Sequence, residues 1–202
     1  MAYGMLIDLK KCIGCHACST ACKEAHGTPP GVMRSRVVRE VEGEYPNVRK
    51  SIVPMLCMHC ENAPCVDVCP TGATFKRDDG IVVVDKDLCI GCRSCMMACP
   101  YEARYYRESE DGYFGAELNE YETLMYPVMP KGTVDKCTFC VERIDAGKGE
   151  QQACVAACPA EARVFGDLDE IKAQAAELGA IQLLPEKGTE PTVYYVPDRV
   201  NE

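Results

Sequence analysis

The feature of the chain that most constrains its fold is the arrangement of its cysteines. Sixteen of the 202 residues are cysteine, about the share at which a chain depends on covalent or metal-bound links as well as on an apolar core. They fall into four groups of four, here called quartets 1 to 4 in chain order, and no cysteine is left over. The quartets are Cys12, Cys15, Cys18 and Cys22; Cys57, Cys60, Cys65 and Cys69; Cys89, Cys92, Cys95 and Cys99; and Cys137, Cys140, Cys154 and Cys158.

The spacing within the quartets indicates iron–sulfur chemistry. Quartets 1 and 3 read C-x2-C-x2-C-x3-C, quartet 2 reads C-x2-C-x4-C-x3-C, and quartet 4 reads C-x2-C-x13-C-x3-C. A C-x2-C-x2-C loop wraps around one face of a [4Fe–4S] cluster and reaches three of its irons, so the fourth iron takes a cysteine from elsewhere. Gly14 and Gly91 stand in the tightest part of such loops, where the absence of Cβ lets the backbone approach the sulfides. The sequence therefore predicts four [4Fe–4S] clusters.

Two other uses of cysteine fit these residues less well. Disulfide frameworks are typical of secreted chains, and residues 1–12 lack the basic, apolar and small-residue regions of a secretory signal peptide. Structural zinc sites pair two C-x2-C elements across a longer stretch, which suits quartet 4 alone but not the other three. Because every quartet is complete, His16 and His59 inside the cysteine loops are expected to be hydrogen bonded or exposed, and His26 gives no signal.

Repeats within the chain indicate how the quartets pair. Leu6–Cys22 and Val83–Cys99 share an apolar pair, an aspartate four residues before the first cysteine, and the sequence C-I-G-C. From their last cysteine onward, quartets 2, 3 and 4 read Cys-Pro-x-x-Ala. Such repeats indicate a duplicated supersecondary unit. Cys69 and Cys89 are only twenty positions apart, which suits a compact two-cluster unit built from quartets 2 and 3 and leaves quartets 1 and 4 to form another.

Crossed ligand sets follow by analogy with two-cluster ferredoxins, in which the last cysteine of each run binds the other cluster. The predicted sets are Cys57, Cys60 and Cys65 with Cys99; Cys89, Cys92 and Cys95 with Cys69; Cys12, Cys15 and Cys18 with Cys158; and Cys137, Cys140 and Cys154 with Cys22. We therefore expect an α+β, loop-rich chain of two ferredoxin-like two-cluster units, related by internal repeat, with one inserted in the other. The outer unit is residues 1–30 with 130–166, and the inner unit is residues 50–108.

Local sequence predicts short elements around the cysteine loops. The expected strands, which lead into the loops, are Met5–Leu9, Ile52–Leu56 and Ile81–Val84. Helical turns are expected between Cys18 and Cys22 and between Cys95 and Cys99, and Asp169–Gly179 is typical of a helix that a glycine ends. Residues 109–129 are predicted to be an insertion, residues 141–153 a polar surface loop, and residues 167–202 a tail for subunit docking.

The charge of the chain excludes some partners. The formal net charge is −9, and four thiolate-bound clusters would bring it to about −17 because each adds roughly −2. Nucleic-acid binding requires a basic face, so no nucleic-acid partner is expected. No apolar run approaches the ~20 residues of a membrane span, so no direct span is expected. Several cations flank the cysteines and either raise cluster potentials or are ordinary solvated side chains: Lys10, Lys11, Arg93, Lys136 and Arg143.

The opening motif G-M-x-I-D-x-x-K-C-x-G-C, the four quartets, and Leu183–Pro197 (LLPEKGTEPTVYYVP) together resemble a known family. This is the four-cluster iron–sulfur (beta) subunit of the dimethyl sulfoxide reductase family of molybdopterin oxidoreductases, and the resemblance covers nearly the whole chain. It implies a non-catalytic electron-transfer subunit that binds a large catalytic subunit with a molybdenum or tungsten bis(pterin guanine dinucleotide) cofactor. In many relatives a membrane-anchor subunit exchanges electrons with quinone, as in anaerobic respiration. The family also pairs quartets 1 with 4 and 2 with 3.

The chain departs from some members of that family. No membrane helix of the kind found in formate dehydrogenase beta subunits is expected at its end, and it lacks the large insertions of nitrate reductase beta subunits. Related subunits can be exported while bound to a partner that bears a twin-arginine signal. We therefore expect a soluble subunit, membrane-associated through partners and outside the cytoplasmic membrane, with a cytoplasmic location left open. The alternative is a free polyferredoxin, or an electron-transfer subunit of a hydrogenase or carbon monoxide dehydrogenase, which Leu183–Pro197 disfavours.

Overall fold

The computed structural model describes residues 1–147 and 151–198. The chain mixes short helices, small sheets and long irregular connections. Its strands are β1 (Tyr3–Asp8), β2 (Ser35–Glu42), β3 (Arg49–Leu56), β4 (Thr74–Lys76), β5 (Val82–Val84), β6 (Tyr105–Tyr106), β7 (Val134–Asp135), β8 (Arg163–Asp167) and β9 (Val193–Val196). Its helices are α1 (Ala17–His26), α2 (Pro64–Asp67), α3 (Ser94–Met97), α4 (Glu120–Met125), α5 (Val141–Asp145), α6 (Ala153–Ala156) and α7 (Leu168–Glu177).

A three-stranded sheet joins the two ends of the chain. Strand β1 lies in the middle, antiparallel to β8 and parallel to β9. Met5 and Ile7 on β1 are fully buried on one face, whereas Leu6 on the other face packs with Ile171 and Ala175 of α7. The alternation of β1 side chains therefore fills the core on one side and holds α7 on the other.

Three antiparallel pairs supply the remaining strands among the described residues. The longest pairs β2 with β3 from Ser35 opposite Leu56 to Glu42 opposite Arg49, and the others pair β4 with β5 and β6 with β7. Strands β1, β3 and β5 agree with the three predicted strands to within three residues at each end and lead into quartets 1, 2 and 3. The β prediction is therefore confirmed. The strands form where apolar, β-prone runs precede the cysteine loops.

The cores contain cysteines as well as apolar side chains. In the largest core, Cys18, Cys57, Cys137 and Cys154 pack with apolar residues such as Met5, Ile7, Phe139 and Tyr195. A second core contains Cys65 and Cys95 together with Val82 and Val134. All sixteen cysteines lie in the described ranges and none forms a disulfide. Six of the cysteines are therefore part of the buried cores, although no disulfide joins them.

Three helix predictions are confirmed, and α7 has defined ends. Helices α1 and α3 cover the segments predicted to be helical turns, and α7 covers most of the predicted Asp169–Gly179 helix. The Asp167 carboxylate accepts a hydrogen bond of 2.9 Å from the Asp169 N–H and caps α7. Past the end of α7, Gly179 has a φ of +62°, a conformation that glycine adopts without strain.

The expectation of a loop over residues 141–153 is wrong at its start. Helix α5 forms there because the N–H groups of Arg143 and Ile144 donate to the carbonyl oxygen of Cys140. The sequence of α5, VERID, contains no glycine or proline that would end a helix. Residues 148–150 of this predicted loop, and residues 199–202 of the predicted tail, lie outside the described residues.

Residues 109–129 fold around a buried glutamate. The Glu122 carboxylate accepts hydrogen bonds from the Tyr113 N–H at 2.8 Å, the Asn119 N–H at 3.1 Å and the Tyr126 hydroxyl at 3.0 Å. The Asn119 side chain in turn accepts from the Glu122 N–H at 2.9 Å, which completes a capping box at the start of α4. The predicted insertion is therefore an ordered segment with its own polar centre.

Candidate metal centres

Two cavities are each lined by four cysteines that come from two quartets. One is bordered by the first three cysteines of quartet 1 and the last of quartet 4: Cys12, Cys15, Cys18 and Cys158. The other is bordered by the first three of quartet 3 and the last of quartet 2: Cys69, Cys89, Cys92 and Cys95. In both cavities the fourth thiol therefore comes from a distant segment of the chain.

The other eight cysteines form two groups, one fully buried and one in which Cys60 and Cys99 are partly exposed. The thiol of Cys137 is buried beside Cys22, Cys154 and Cys140. Its pKa is raised well above the ordinary value, mainly by burial and to a lesser extent by these neighbouring thiols. Cys60 lies beside Cys57, Cys65 and Cys99, and burial above all raises its pKa to about 12. Four thiols in each group therefore crowd together where a thiolate is unfavourable without a cation beside it.

This donor set fits an iron–sulfur cluster. Metal binding requires thiolates, and the metal cation offsets the cost of burying them. Six buried side-chain polar atoms among the described residues have no hydrogen-bond partner: Ser19 Oγ, Ser35 Oγ, His59 Nε2, Arg104 Nη2, Thr138 Oγ1 and Arg163 Nη1. Three of these residues are neighbours of a cysteine in sequence, and the two arginines contact thiols. Unpaired buried donors beside cysteines suit sulfide and thiolate acceptors.

The backbone of the repeated loops is the same in quartets 1 and 3. Gly14 and Gly91 have φ values of +67° and +68°. His16 and Arg93, two residues later, both have φ of +63°, and α1 and α3 begin directly after them. The repeated sequence C-I-G-C therefore folds into the same turn twice.

Replacing Gly91 by alanine is expected to disrupt the loop of quartet 3. An added Cβ would lie 2.1 Å from the Gly132 carbonyl oxygen, at a φ of +68°. Overpacking costs about 1–3 kcal/mol and a left-handed backbone about 1 kcal/mol more, so we expect lower stability and loss of iron. Gly72→Ala is the control because Gly72 has a φ of +69° and no described atom within 4 Å of the added Cβ. Equal denaturation midpoints and iron contents for the two variants would contradict the steric explanation.

The flanking cations predicted from the sequence differ in their positions. Lys136 is 1% exposed and its Nζ donates to the carbonyl oxygens of Val82 and Cys137. Lys10, Lys11 and Arg93 are instead exposed. Of these four cations, Lys136 is thus the one whose charge acts most strongly on thiolates, because the protein interior screens charge weakly.

Three buried arginines near the cysteines escaped the sequence analysis: Arg34, Arg104 and Arg163. The guanidinium of Arg34 binds Asp135 through two hydrogen bonds, Nε to Oδ2 at 2.6 Å and Nη2 to Oδ1 at 3.1 Å. Lys86 Nζ donates to the same Oδ1 at 2.7 Å. Burial alone would raise the pKa of Asp135, but Arg34 and Lys86 hold it at about 2. The group carries a net positive charge next to Cys22 and Cys137, whose thiols act on Arg34.

Replacing Asp135 by asparagine is expected to destabilise the protein by about 3–5 kcal/mol, because the change leaves two cations without their buried counter-ion. Asp135 is 2% exposed. The free energy of unfolding from denaturant titration measures the effect. Asp145→Asn is the control, because Asp145 binds Arg77 at 2.7 Å on the surface, where its side chain is 52% exposed, and exposed pairs contribute little. A loss for Asp135→Asn no larger than for the control would contradict the expected role of the buried pair.

Two histidines interact with the cysteine loops. His59 is buried, its Nδ1 accepts from the Val82 N–H at 3.1 Å, and its ring stacks on Phe139 with centroids 3.8 Å apart. The expectation that His59 is hydrogen bonded is thus confirmed. His26 gave no sequence signal, yet its Nε2 lies 3.2 Å from Cys140 Sγ and its Nδ1 3.1 Å from Glu142 Oε1. No local pattern could reveal this contact, since 114 positions separate His26 from Cys140.

The predicted docking tail packs on the loop of quartet 2. The N–H groups of Glu61 and Asn62 donate to the carbonyl oxygens of Glu190 and Thr189, and the Thr192 hydroxyl donates to the His59 carbonyl oxygen at 3.3 Å. Tyr195 Oη donates to the Pro54 carbonyl oxygen at 2.9 Å. This part of the tail therefore covers a cysteine loop of its own chain.

Comparison with known proteins agrees with this chemistry. Three overlapping stretches match models described as 4Fe-4S dicluster domains, at residues 11–73, 48–114 and 88–164. Together these matches span all four quartets, since the chain contains no cysteine before residue 11 or after residue 164. The protein is thus an iron–sulfur electron carrier with four [4Fe–4S] clusters.

Curated relatives identify the family. A Halobacterium salinarum protein, provisionally named as an iron-sulfur subunit of dimethyl sulfoxide reductase, is 44% identical over 96% of this chain and 78% of its own length. The arsenate respiratory reductase iron-sulfur subunit of Shewanella sp. is 41% identical over 97% of this chain and 96% of its own length. A tetrathionate reductase subunit of Salmonella typhimurium is 42% identical over 96% of this chain and 72% of its own length. The chain belongs to the family of iron–sulfur electron-transfer subunits of dimethyl sulfoxide reductase-type enzymes, which are not the catalytic subunits.

The helices of the described ranges are all too short or too polar to cross a membrane.

Proposed function

We propose that the chain relays electrons between a molybdopterin catalytic subunit and a quinone-linked membrane subunit or another redox partner. When bound, each [4Fe–4S] cluster accepts and gives up an electron, and the protein sets its position, potential and access to partners. The observation that carries this proposal is that the thiols gather in fours: two sets line cavities, and two more surround Cys137 and Cys60.

The ligand sets proposed are the crossed ones. The outer unit, residues 1–30 with 130–166, would hold one cluster through Cys12, Cys15, Cys18 and Cys158 and another through Cys22, Cys137, Cys140 and Cys154. The inner unit, residues 50–108, would hold one through Cys57, Cys60, Cys65 and Cys99 and another through Cys69, Cys89, Cys92 and Cys95. The composition of the two cavities supports this assignment, and so do the neighbours of Cys137 and Cys60. The matching turns of quartets 1 and 3 support an internal repeat.

Exposure of the cysteines indicates where partners approach. Cys15 and Cys92 are exposed, whereas Cys22, Cys137, Cys140 and Cys154 include no exposed member. The set with Cys57 and Cys65 is also free of exposed cysteines. The sets containing Cys15 and Cys92 would therefore face partners, and the other two would lie between them.

The residues around these two exposed cysteines support docking there. Ile13 and Ile90 occupy the same position in the two C-I-G-C loops, and each is 66% exposed. Exposed apolar side chains beside a redox group suit a surface that another subunit covers. We propose that one loop faces the large molybdenum- or tungsten-containing subunit and the other the quinone-linked partner. The predicted role of the tail in subunit docking stays a prediction, and its exposed turn Pro185–Lys187 is the part proposed to contact another subunit.

The proposed location is outside the cytoplasmic membrane, with attachment through the partners and export bound to the catalytic subunit. Cell fractionation of the native host tests this: the chain is expected with the membrane fraction and accessible to protease from outside. Protection from external protease in intact spheroplasts would place the complex on the cytoplasmic side and contradict the proposal.

Anaerobic purification of the tagged chain from its host tests the function. We expect a co-purifying large subunit that contains a pterin cofactor, together with iron and acid-labile sulfide in equal amounts. Zinc without labile sulfide would contradict the clusters. A chain that purifies alone, or with a hydrogenase or carbon monoxide dehydrogenase, would contradict the proposed partner while leaving the clusters intact.

A further inference from the structure

Two buried arginines occupy the same position in the two halves of the chain. The sequences Cys99–Arg104 (CPYEAR) and Cys158–Arg163 (CPAEAR) differ at one residue, and each arginine stands five residues after the last cysteine of its quartet. At that position quartet 2 has Thr74 and quartet 1 has Gly27. Each proposed two-cluster unit therefore contains one such arginine.

Arg163 lies between the two cysteine sets of the outer unit. Its side chain is 3% exposed, and Nη2 donates to Cys18 Sγ at 3.5 Å. The thiol of Cys154 also lies close enough for its charge to act on this guanidinium. Cys18 and Cys154 belong to different proposed ligand sets, so a single guanidinium lies beside both. Its Nη1 is buried without a partner among the described residues.

Arg104 occupies the equivalent place in the inner unit. It is 4% exposed and lies beside the thiols of Cys65 and Cys95, on which its charge acts and which again belong to different proposed sets. Its Nη1 donates to the Thr74 hydroxyl at 3.2 Å, so the residue at the equivalent position of quartet 2 helps to hold it. Its Nη2, like Nη1 of Arg163, is a buried donor with no partner in the described part of the chain.

These two cations differ from the other buried arginines. Arg34 forms an ion pair with Asp135, and Arg107 donates to backbone carbonyl oxygens, such as those of Tyr126 and Met129. Within residues 1–147 and 151–198, neither Arg104 nor Arg163 forms an ion pair with a carboxylate. No carboxylate in these ranges therefore balances their charge, which acts on the neighbouring thiols.

We propose that Arg104 and Arg163 are positioning and tuning residues, each of which raises the reduction potentials of both clusters in its own unit. This inference rests on the proposed ligand sets. A cluster gains negative charge on reduction, so a fixed cation beside it, and N–H groups directed at its sulfurs, favour the reduced form. Burial strengthens this effect because the interior screens charge weakly. The guanidinium suits a place between two clusters because it stays charged and presents five donors in a rigid fork.

The test compares Arg104→Gln and Arg163→Gln with the wild-type protein, each purified anaerobically with its clusters. Redox titrations followed by electron paramagnetic resonance give the potentials. Arg104→Gln is expected to lower the potentials of the two inner-unit clusters and leave the other two unchanged, and Arg163→Gln is expected to do the reverse. Arg107→Gln, which also removes a buried guanidinium, should leave all four potentials unchanged. Arg104→Lys keeps the charge and should shift the inner pair less than glutamine does.

Several outcomes would overturn the inference. A shift confined to one cluster, no shift, or equal shifts of all four clusters would contradict a cation shared within one unit. If Arg104→Gln fails to retain its clusters, the potentials of Arg104→Lys provide the test. A change in the potential of an outer-unit cluster, or of only one inner-unit cluster, would contradict the proposal. The ligand sets are tested separately, with cysteine variants that keep both arginines. Failure of those sets is thus distinguishable from failure of the arginine effect.

Discussion

Replacing Cys99 by serine is expected to damage the cluster held by Cys57, Cys60 and Cys65 and to spare the one held by Cys89, Cys92 and Cys95. The reason is that Cys60 has Cys99 among its neighbouring thiols, whereas the cavity of quartet 3 is lined by Cys69. Loss of one cluster removes about a quarter of the iron if each of the four contributes equally. Iron and sulfide analysis measures the loss, and electron paramagnetic resonance shows which of the four signals disappears or changes to that of a three-iron centre.

The matched control is Cys69→Ser. Cys69 and Cys99 are the last cysteines of quartets 2 and 3, and each is followed by proline. The control should therefore lose the signal that Cys99→Ser retains, and retain the signal that Cys99→Ser loses. Cys92→Ser identifies the quartet 3 signal independently, because Cys92 lies in the middle of that loop. If Cys99→Ser and Cys92→Ser remove the same signal, the crossed ligand sets are wrong.

The spacing of cysteines made much of the candidate site predictable. A C-x2-C-x2-C loop has few ways to fold around a compact cluster, so residues 12–18 and 89–95 were expected to form the same structure, and they share a turn with a glycine of positive φ. The strands before these loops were predictable for a similar reason, because apolar runs such as Ile81–Val84 directly precede them. Local chemistry dictates these features, and the sequence displays local chemistry directly.

Features that depend on contacts between distant segments could not be predicted in the same way. The contact of His26 with Cys140 exists because α1 and α5 meet in the fold, and neither sequence shows a motif for it. Arg34 binds Asp135 from 101 positions away. Arg104 and Arg163 did have a signal, since both stand five residues after a cysteine in the repeat. That signal had no meaning until the burial of both side chains was known.

Removing the clusters is expected to unfold most, but not all, of the protein. Cys18, Cys57, Cys137 and Cys154 lie in the largest core and Cys65 and Cys95 in the second, so stripping the metal leaves buried thiols where the cluster held segments together. Metal binding of this kind supplies folding free energy directly. The third core contains no cysteine and packs Leu6 and Val196 against α7. We therefore expect residual amide protection in β1, β9 and α7, with protection lost from the quartet loops.

Hydrogen exchange measured by mass spectrometry distinguishes these segments. The clusters are stripped anaerobically with a chelator and an oxidant, and a portion is then reconstituted with iron and sulfide as the control for reversible damage. Reconstitution should restore protection to β4 and β5, whose hairpin lies beside quartets 2 and 3 and whose Val82 packs against Cys65 and Cys95. Native-like protection of that hairpin in the stripped protein would show that apolar packing alone holds the fold, and would contradict the structural role assigned to the clusters. Equal loss of protection in α7 would contradict the independent stability of the cysteine-free core.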